Sequence, residues 1–188
     1  MRRLALVLLA LLAIAGLYAG WTANDAPAAA KSAAAAWGRV EDEFRSRADF
    51  SGKIAATVAQ LNPGEKALPA KIAAARAAAL ALPPDPAAPA SRARFLAFMK
   101  VQDALSEELG LVLDMLRLYP DQARSGPVRQ VFDELELKES HIVVARTDFV
   151  AQANRHNRII GDLPSRWVAD LFHPEEKPLM ASFDQDKG

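Results

Sequence analysis

Three charged residues, Arg47, Glu139 and Arg146, lie where the sequence predicts the buried faces of helices. A buried charge is costly unless it is paired, so these residues are the best candidates for a polar site. Glu139 and Arg146 are seven residues apart, which is about 10 Å along a helix and too far for a direct pair. Arg47 comes from another helix and could reach Glu139. We interpret the three as a buried polar layer that fixes helix register; the alternative is a polar ligand site.

The residue types needed for catalysis or metal binding do not recur at productive spacings. None of the three histidines, His141, His156 and His173, follows a glutamate by three positions, so the repeated Glu-x-x-His motif of di-iron bundles is absent. The sequence also lacks the HExxH, phosphate-loop, GxGxxG and GxSxG motifs. We therefore predict a protein that is not an enzyme, with no catalytic residue, no cofactor and no metal.

Composition narrows the class of protein further. The 188 residues include 23 basic and 23 acidic side chains and no cysteine. The balanced charge argues against a nucleic-acid binder, whose surface is usually basic. The lack of cysteine excludes a disulfide scaffold and a thiol nucleophile. Alanine is abundant, and alanine favours helices.

Apolar residues repeat at steps of three and four along four segments, as they do in the helices of a bundle. The first segment begins at Trp37 and is interrupted near residues 62–64 by Asn-Pro-Gly. The other three occupy residues 65–82, 91–118 and 127–160. The connections are short and no segment alternates like a strand. We predict an all-α fold, an antiparallel up-and-down bundle of three to four long helices over residues 37–164.

The N-terminus has the pattern of a membrane anchor. Residues 4–21 are uncharged and apolar and follow two arginines. As a helix they would measure about 27 Å, close to the thickness of the hydrocarbon core. We predict a transmembrane helix over residues 1–22 in the bacterial inner membrane. The positive-inside rule then leaves the N-terminus in the cytoplasm and the body in the periplasm. The alternative is a cleaved signal peptide, whose apolar region is usually shorter.

Two segments flank the predicted bundle. Residues 23–36 contain Pro27 and a run of alanines, and we predict a linker there. Residues 165–188 are predicted as a short amphipathic turn followed by a polar tail that is extended or mobile. We interpret the turn, SRWVADLF, as a lid over one end of the bundle. Its alternative role is contact with a membrane surface or a partner.

Two stretches resemble the LemA family. The first is similar to the family pattern AW..ID.QL.RR.DLIPNLV.TV…HE……AR and matches it at Trp37, Arg47, Asp49, Thr57, Val58, Glu65 and Arg76. The second is similar to YPD…E..I..AR..YN…YN…..P…A..F……P and matches at residues 119–121 and at Glu139, Ile142, Ala145, Arg146, Asn157, Pro164, Ala169, Leu171, Phe172 and Pro178. Phe149-Val150 stands where the family has its first YN pair, so the chain resembles a divergent member. The resemblance implies one N-terminal membrane span followed by a helical bundle.

These observations favour a membrane-anchored, LemA-like helical-bundle protein of the bacterial envelope. We expect a non-catalytic scaffold or protein-interaction module that binds an envelope protein, with self-association possible and no nucleic acid bound. The alternative is an envelope ligand-binding or enzymatic bundle with an unrecognised polar pocket. A solvent-connected cavity at Arg47, Glu139 and Arg146 would favour the alternative, whereas a dry, paired layer would favour the scaffold.

Overall fold

The computed structural model describes residues 2–64, 66–118, 120–124 and 126–183, and within those ranges the chain is helical and has no strand. The all-α fold predicted from the sequence is confirmed. A 3₁₀ turn, Ala88–Ala90, precedes the third helix. The helices are α1 (Arg2–Leu61), α2 (Ala67–Ala81), α3 (Arg92–Leu118), α4 (Pro120–Ala123), α5 (Gly126–Gly161) and α6 (Ser165–Phe172).

The four longer helices run alternately up and down. α1 packs along α5 and against α2, and α2 packs against α3. The pairing of Arg39 with Asp148 and of Lys53 with Glu134 shows that α1 and α5 are antiparallel. The break expected near residues 62–64 is present, because α1 ends at Leu61 and a turn follows. α3 approaches α5 less closely than the other neighbours approach each other, which leaves a groove on that side.

α1 is longer than the sequence predicts. Its 60 residues correspond to a rod of about 90 Å, and they include residues 23–36, for which the sequence predicts a linker. A stripe of alanines buries this segment against the bundle: Ala26, Ala29, Ala33 and Ala36. The linker prediction is therefore wrong, since the segment is a packed part of the helix.

Pro27 lies inside α1 without ending it. A proline has no N–H, so the carbonyl four residues earlier loses its helical donor. That carbonyl belongs to Ala23, and Nε2 of His173 lies 2.8 Å from its oxygen. Because a carbonyl only accepts, the imidazole must donate there. His173 directly follows α6, so the end of that helix replaces the hydrogen bond that Pro27 removes.

Two apolar clusters form the core, and a polar layer separates them. The upper cluster, which lies farther from the N-terminus of α1, contains Ile54 of α1, Leu105 of α3 and Leu135 of α5, together with side chains of α2. The lower cluster is aromatic, and its largest members are Trp37, Phe44, Phe95 and Phe149. Between the two levels lie Arg47, Gln102 and Glu139, one from each of α1, α3 and α5.

The chain after α6 is extended but not loose. Asn157 of α5 exchanges two hydrogen bonds of 2.8 Å with the backbone of Leu179. The N–H of Met180 donates to the carbonyl of Pro89 at 2.8 Å. Phe183 packs against Phe95 and Phe149, so residues 177–183 complete the lower cluster. The sequence predicts a polar tail that is extended or mobile, but the part up to Phe183 is bound to the bundle. Residues 184–188 lie outside the described residues.

The predicted anchor over residues 1–22 falls on the N-terminal part of α1, except for Met1, which lies outside the described residues. No helix in the described part of the chain is both long enough and apolar enough to cross a membrane. The anchor therefore stays a prediction.

Candidate functional site

Arg47 is the centre of the polar layer. It lies on the face of α1 that packs against the bundle, and the residue is only 1% exposed. Nη1 donates to Oγ of Ser106 at 2.7 Å and to Oε1 of Glu139 at 3.1 Å. Nη2 donates to the backbone carbonyl of Gln102 at 3.0 Å. The guanidinium also lies 5.0 Å from the centre of the Phe44 ring. Three helices are therefore tied together by one side chain.

The layer is not fully satisfied. Nε of Arg47 and the side-chain carbonyl oxygen of Gln102 are buried and have no hydrogen-bond partner among the described residues. Leaving such atoms unpaired costs about 1–3 kcal/mol each. The two ends of the layer differ in exposure, because the Arg47 side chain is buried whereas the Glu139 side chain is 44% exposed. The carboxylate can therefore accept a further hydrogen bond from outside the bundle.

Glu139 opens onto the groove between α3 and α5. The groove encloses about 470 Å³, a volume within the usual range of binding sites. Residues of both helices line it: Ser106, Leu109, Gly110, Leu113, Phe132, Asp133, Leu135, Glu136 and Glu139. Four of these side chains are large and apolar, and three are carboxylates. The groove thus has an apolar floor and an acidic edge. One of its carboxylates, Glu139, is held by the buried Arg47, and a second, Asp133, lies 3.7 Å from Nε of Arg129 at the surface.

Arg146 does not belong to this layer, contrary to the prediction. Its guanidinium lies 4.3 Å from the centre of the Phe183 ring. The buried face of α5 runs through Ile142, Ala145 and Phe149, so Arg146 stands at the edge of that face. The docked tail supplies the aromatic ring that covers it. Of the three predicted residues, the structure brings together Arg47 and Glu139 alone.

A second polar cluster fixes the connection between α2 and α3 on α1. Nε1 of Trp37 donates to the backbone carbonyl of Asp85 at 3.0 Å. The Asp85 N–H donates to Oε1 of Glu41 at 2.8 Å. Burial raises the pKa of the Glu41 carboxyl above its usual value, and the hydrogen bond from Asp85 opposes that shift. The cluster is structural, since its members bond one another.

On the surface between α1 and α5, the pKa of a carboxyl is lowered instead of raised. Arg39 donates to Asp148, and this hydrogen bond lowers the pKa of the Asp148 carboxyl. Both side chains are partly exposed, so the pair contributes little to stability. No group of three or more His, Asp or Glu side chains suited to a metal ion occurs in the ranges that the structure describes.

Sequence reasoning missed two residues that complete the polar layer. Gln102 lies on the apolar face of α3, but it contributes its backbone carbonyl, which any residue at that position would supply, so its side chain gave no signal. Ser106 is one turn later on the same helix, and its hydroxyl also donates to the Gln102 carbonyl at 3.0 Å. Its spacing from Gln102 was the only available signal, because serine is common on exposed helix faces.

A family model, described as the LemA family, matches residues 36–187. The chain belongs to the LemA family. The match begins one residue before Trp37 and includes α2 to α6, so the residues of the polar layer and of the groove all lie inside it. No curated protein matches the chain significantly.

LemA-family membership agrees with the residues that carried the resemblance, and the structure gives several of them a physical role. Arg47 and Glu139, both matches to the pattern, form the ion pair of the polar layer. Asn157, another match, holds the tail through its two backbone hydrogen bonds. These residues hold helices and tail in register within the LemA bundle.

Proposed function

We propose that this LemA-family chain is a membrane-anchored, non-catalytic interaction module of the bacterial envelope, and that its α3–α5 groove binds a basic amphipathic helix of an envelope protein. The observation that carries the proposal is the groove itself, with its apolar floor and three carboxylates along one wall. A partner that fits must offer apolar side chains on one face and positive charge beside them. An amphipathic helix rich in lysine or arginine has that chemistry.

The dimensions of the groove support a helical occupant. On α3 the lining residues extend from Ser106 to Leu113, and on α5 from Phe132 to Glu139. Seven residues of helix correspond to about 10 Å, or two turns. A helix docked in such a groove presents side chains at positions i, i+3, i+4 and i+7, which cover the same length. Because Arg47 already holds the Glu139 side chain, that side chain loses little conformational entropy when it binds a cation.

The membrane anchor is supported by the composition of residues 4–21 and by the exposure of apolar side chains in that part of α1. Large apolar residues that stand exposed there include Leu6, Val7, Leu9, Ile14 and Leu17. Such side chains are stable in lipid and unfavourable in water. The two arginines before the segment favour a cytoplasmic N-terminus and a periplasmic bundle.

A second candidate function uses the same groove. The cavity is open to solvent beside Glu139, which is the observation that we expected to favour a ligand-binding bundle, whereas Arg47 is buried and paired, as expected for a scaffold. A small cationic amphiphile in place of a helix would make the chain a ligand-binding bundle. The length of the groove and its position on two exposed helix faces favour the helix. The two candidates differ in whether a peptide longer than two turns gains affinity over a short one.

The groove is tested with two synthetic peptides of helical period, one made of leucine and lysine and the other of leucine and glutamate. Binding to the full-length chain in detergent micelles is measured by fluorescence anisotropy. We expect the lysine peptide to bind, to weaken as salt is raised and to lose affinity when cut to one turn. The glutamate peptide should bind more weakly. Equal binding of the two peptides would contradict the proposed charge recognition.

Leu113 and Leu111 supply a matched pair of variants. Both are leucines of α3, and they are 46% and 44% exposed, but Leu113 lines the groove and Leu111 does not. Leu113→Lys should weaken the lysine peptide about tenfold or more, because it removes apolar contact and adds a repelling charge. Leu111→Lys adds the same charge elsewhere and should change affinity little. If both variants weaken binding equally, the peptide does not occupy the groove.

The anchor is tested by reporters fused after Gly188 and by the mass of the mature N-terminus. A reporter active only outside the cytoplasm should be active, and the N-terminal peptide should still contain residues 4–21. Loss of that peptide would replace the anchor with a cleaved leader. Activity of a cytoplasmic reporter would overturn the orientation.

A further inference from the structure

The short helix α6 exposes an apolar face that the bundle does not use. Ala169 is the residue of α6 that is buried, whereas Trp167, Leu171 and Phe172 are exposed, as is Leu163 just before the helix. Trp167 is 68% and Leu171 is 74% exposed. Four large apolar side chains on one short segment are more than the scattered exposure expected of a soluble surface, and such a patch indicates a contact.

The position of α6 on the long helix α1 identifies the contact. His173, at the end of α6, bonds the carbonyl of Ala23, and Arg155 of α5 pairs with Asp25 at 2.6 Å. Thr22 is buried at the same level. α6 therefore lies at the height where the packed part of α1 begins, directly after the segment that we propose as the anchor.

The exposed apolar residues of α1 end where those of α6 begin. Within the described part of α1, the last large apolar side chain that stands exposed is Trp21. Beyond it the helix buries a stripe of alanines, and α5 and α6 flank it. We treat Trp21 and the exposed residues of α6 as one apolar band at the base of the bundle, because His173 joins the end of α6 to Ala23, two residues after Trp21. Tryptophan is enriched at the boundary between lipid and water, because its ring is amphipathic.

We infer that α6 and Leu163 form a membrane-contacting collar, which rests on the lipid interface around the point where α1 leaves the bilayer. This inference depends on the membrane anchor proposed above and adds a second, non-spanning contact to it. The collar residues insert into the interfacial layer, as the apolar face of an interfacial helix does. His173 fixes the collar to α1, so the bundle is held at a defined height above the lipid.

The test measures how strongly lipids brominated on their acyl chains quench each tryptophan. The full-length chain is reconstituted into vesicles of phosphatidylcholine and phosphatidylglycerol, with and without the brominated lipids. Trp21→Phe leaves Trp167 and the fully buried Trp37 as emitters, and Trp167→Phe leaves Trp21 and Trp37. The variant with both changes reports Trp37 alone and sets the baseline. We expect Trp167 and Trp21 to lose comparable emission, each well above that baseline.

Val144 provides the matched control. It is 67% exposed on α5, close to the exposure of Trp167, but it lies on the helix between His141 and Asp148, which pair with Glu43 and Arg39 of α1. Those partners are about 16–20 residues beyond Ala23, or roughly 25–30 Å along the helix. Val144→Trp, made in the chain that lacks Trp21 and Trp167, should show no quenching above the baseline.

The outcomes separate this inference from the proposed function. Flotation in a density gradient measures whether the chain is bound to the vesicles. If the chain does not float with them, the anchor itself is wrong and the collar is wrong with it. If the chain floats and Trp21 is quenched but Trp167 behaves like the control at position 144, the anchor stands and the collar is wrong. If Trp167 emission instead shifts to the blue with rising protein concentration and is not quenched by lipid, a second copy covers α6 and the collar is again wrong.

Discussion

Replacing His173 with alanine should loosen α6 from α1, and the size of the loss should depend on Pro27. In the wild-type chain the Ala23 carbonyl has no helical donor, because residue 27 is a proline. The imidazole supplies that donor from 2.8 Å. His173→Ala leaves the carbonyl unpaired in a partly buried position. In a Pro27→Ala background the helix regains its own N–H at residue 27, so His173→Ala should lower the free energy of unfolding much less.

The expected magnitude follows from the geometry of the bond. A hydrogen bond of ordinary length contributes about 0.5–1.5 kcal/mol, and an unpaired buried carbonyl costs about 1–3 kcal/mol. Because the Ala23 carbonyl is only partly buried, we expect His173→Ala to cost about 1–2 kcal/mol. For a chain of this size that lowers Tm by roughly 2–8 °C. In the Pro27→Ala background the cost should fall by about 1 kcal/mol, which is the coupling between the two sites.

The assay is a double-mutant cycle on the full-length chain in detergent micelles, with unfolding followed by far-UV circular dichroism. Amide hydrogen exchange of residues 165–172 is measured in parallel, because release of α6 should raise exchange there before the bundle unfolds. His173→Gln keeps an N–H donor and should recover part of the loss. If His173→Ala costs the same with and without Pro27, the imidazole does not replace the missing bond, and our account of the unbroken helix is wrong.

Three further predictions concern the polar layer, the tail and the titration of one carboxyl. Glu139→Ala should destabilise the chain by about 1–2 kcal/mol because the buried guanidinium of Arg47 loses its charged partner, and Glu139→Gln should cost less; thermal melts measure both. Asn157→Asp keeps the acceptor but removes the donor, so it should cost about 1 kcal/mol and speed hydrogen exchange in residues 177–183. The folded state raises the pKa of Glu41, so it binds the proton more tightly than the unfolded chain does. Stability relative to Glu41→Gln should therefore fall as pH rises from the usual glutamate pKa of about 4.3 through the raised value, as urea titrations at stepped pH would measure.

Each of these predictions has a matched control on the same helix. Glu136→Ala removes a groove carboxylate that does not bond Arg47, and it should change Tm little. Asn154→Asp places the same charge on an exposed position of α5 and should leave the tail protected. Asp49→Asn removes an exposed carboxylate two turns further along α1 that does not contribute to the Glu41 shift, and it should not alter the pH profile. Equal effects of a variant and its control would refute the corresponding contact.

The helices themselves could be predicted because apolar spacing and prolines act locally. The pattern that begins at Trp37 and the stop at Asn62-Pro63-Gly64 both appear in the structure, since each depends on neighbours within two turns. The pair formed by Arg47 and Glu139 was also accessible, because a charge on an apolar face needs a partner on a facing helix.

The errors arose where a distant residue changed the local rule. Pro27 predicts a helix boundary, but the donor that rescues the helix is 150 residues away in the sequence. Arg146 follows the apolar spacing of α5 but stands at the edge of the buried face, and the ring of Phe183 that covers it belongs to a tail whose composition predicts mobility. The tail is held by the amide of Asn157, a residue equally typical of an exposed helix surface. Periodicity cannot identify partners of this kind, because they are set by tertiary packing.

The unbroken course of α1 joins the proposed collar to the proposed groove. Arg47 lies 26 residues beyond Trp21 on one helix, so the polar layer stands roughly 40 Å from the apolar band. A linker at residues 23–36 would have let that distance vary, and the proline there is the natural place for a hinge. The bond from His173 removes the hinge and at the same time fixes α6. If the anchor and the collar hold as proposed, a partner helix must reach the groove at one fixed height above the lipid, and His173→Ala would weaken that constraint without touching the groove.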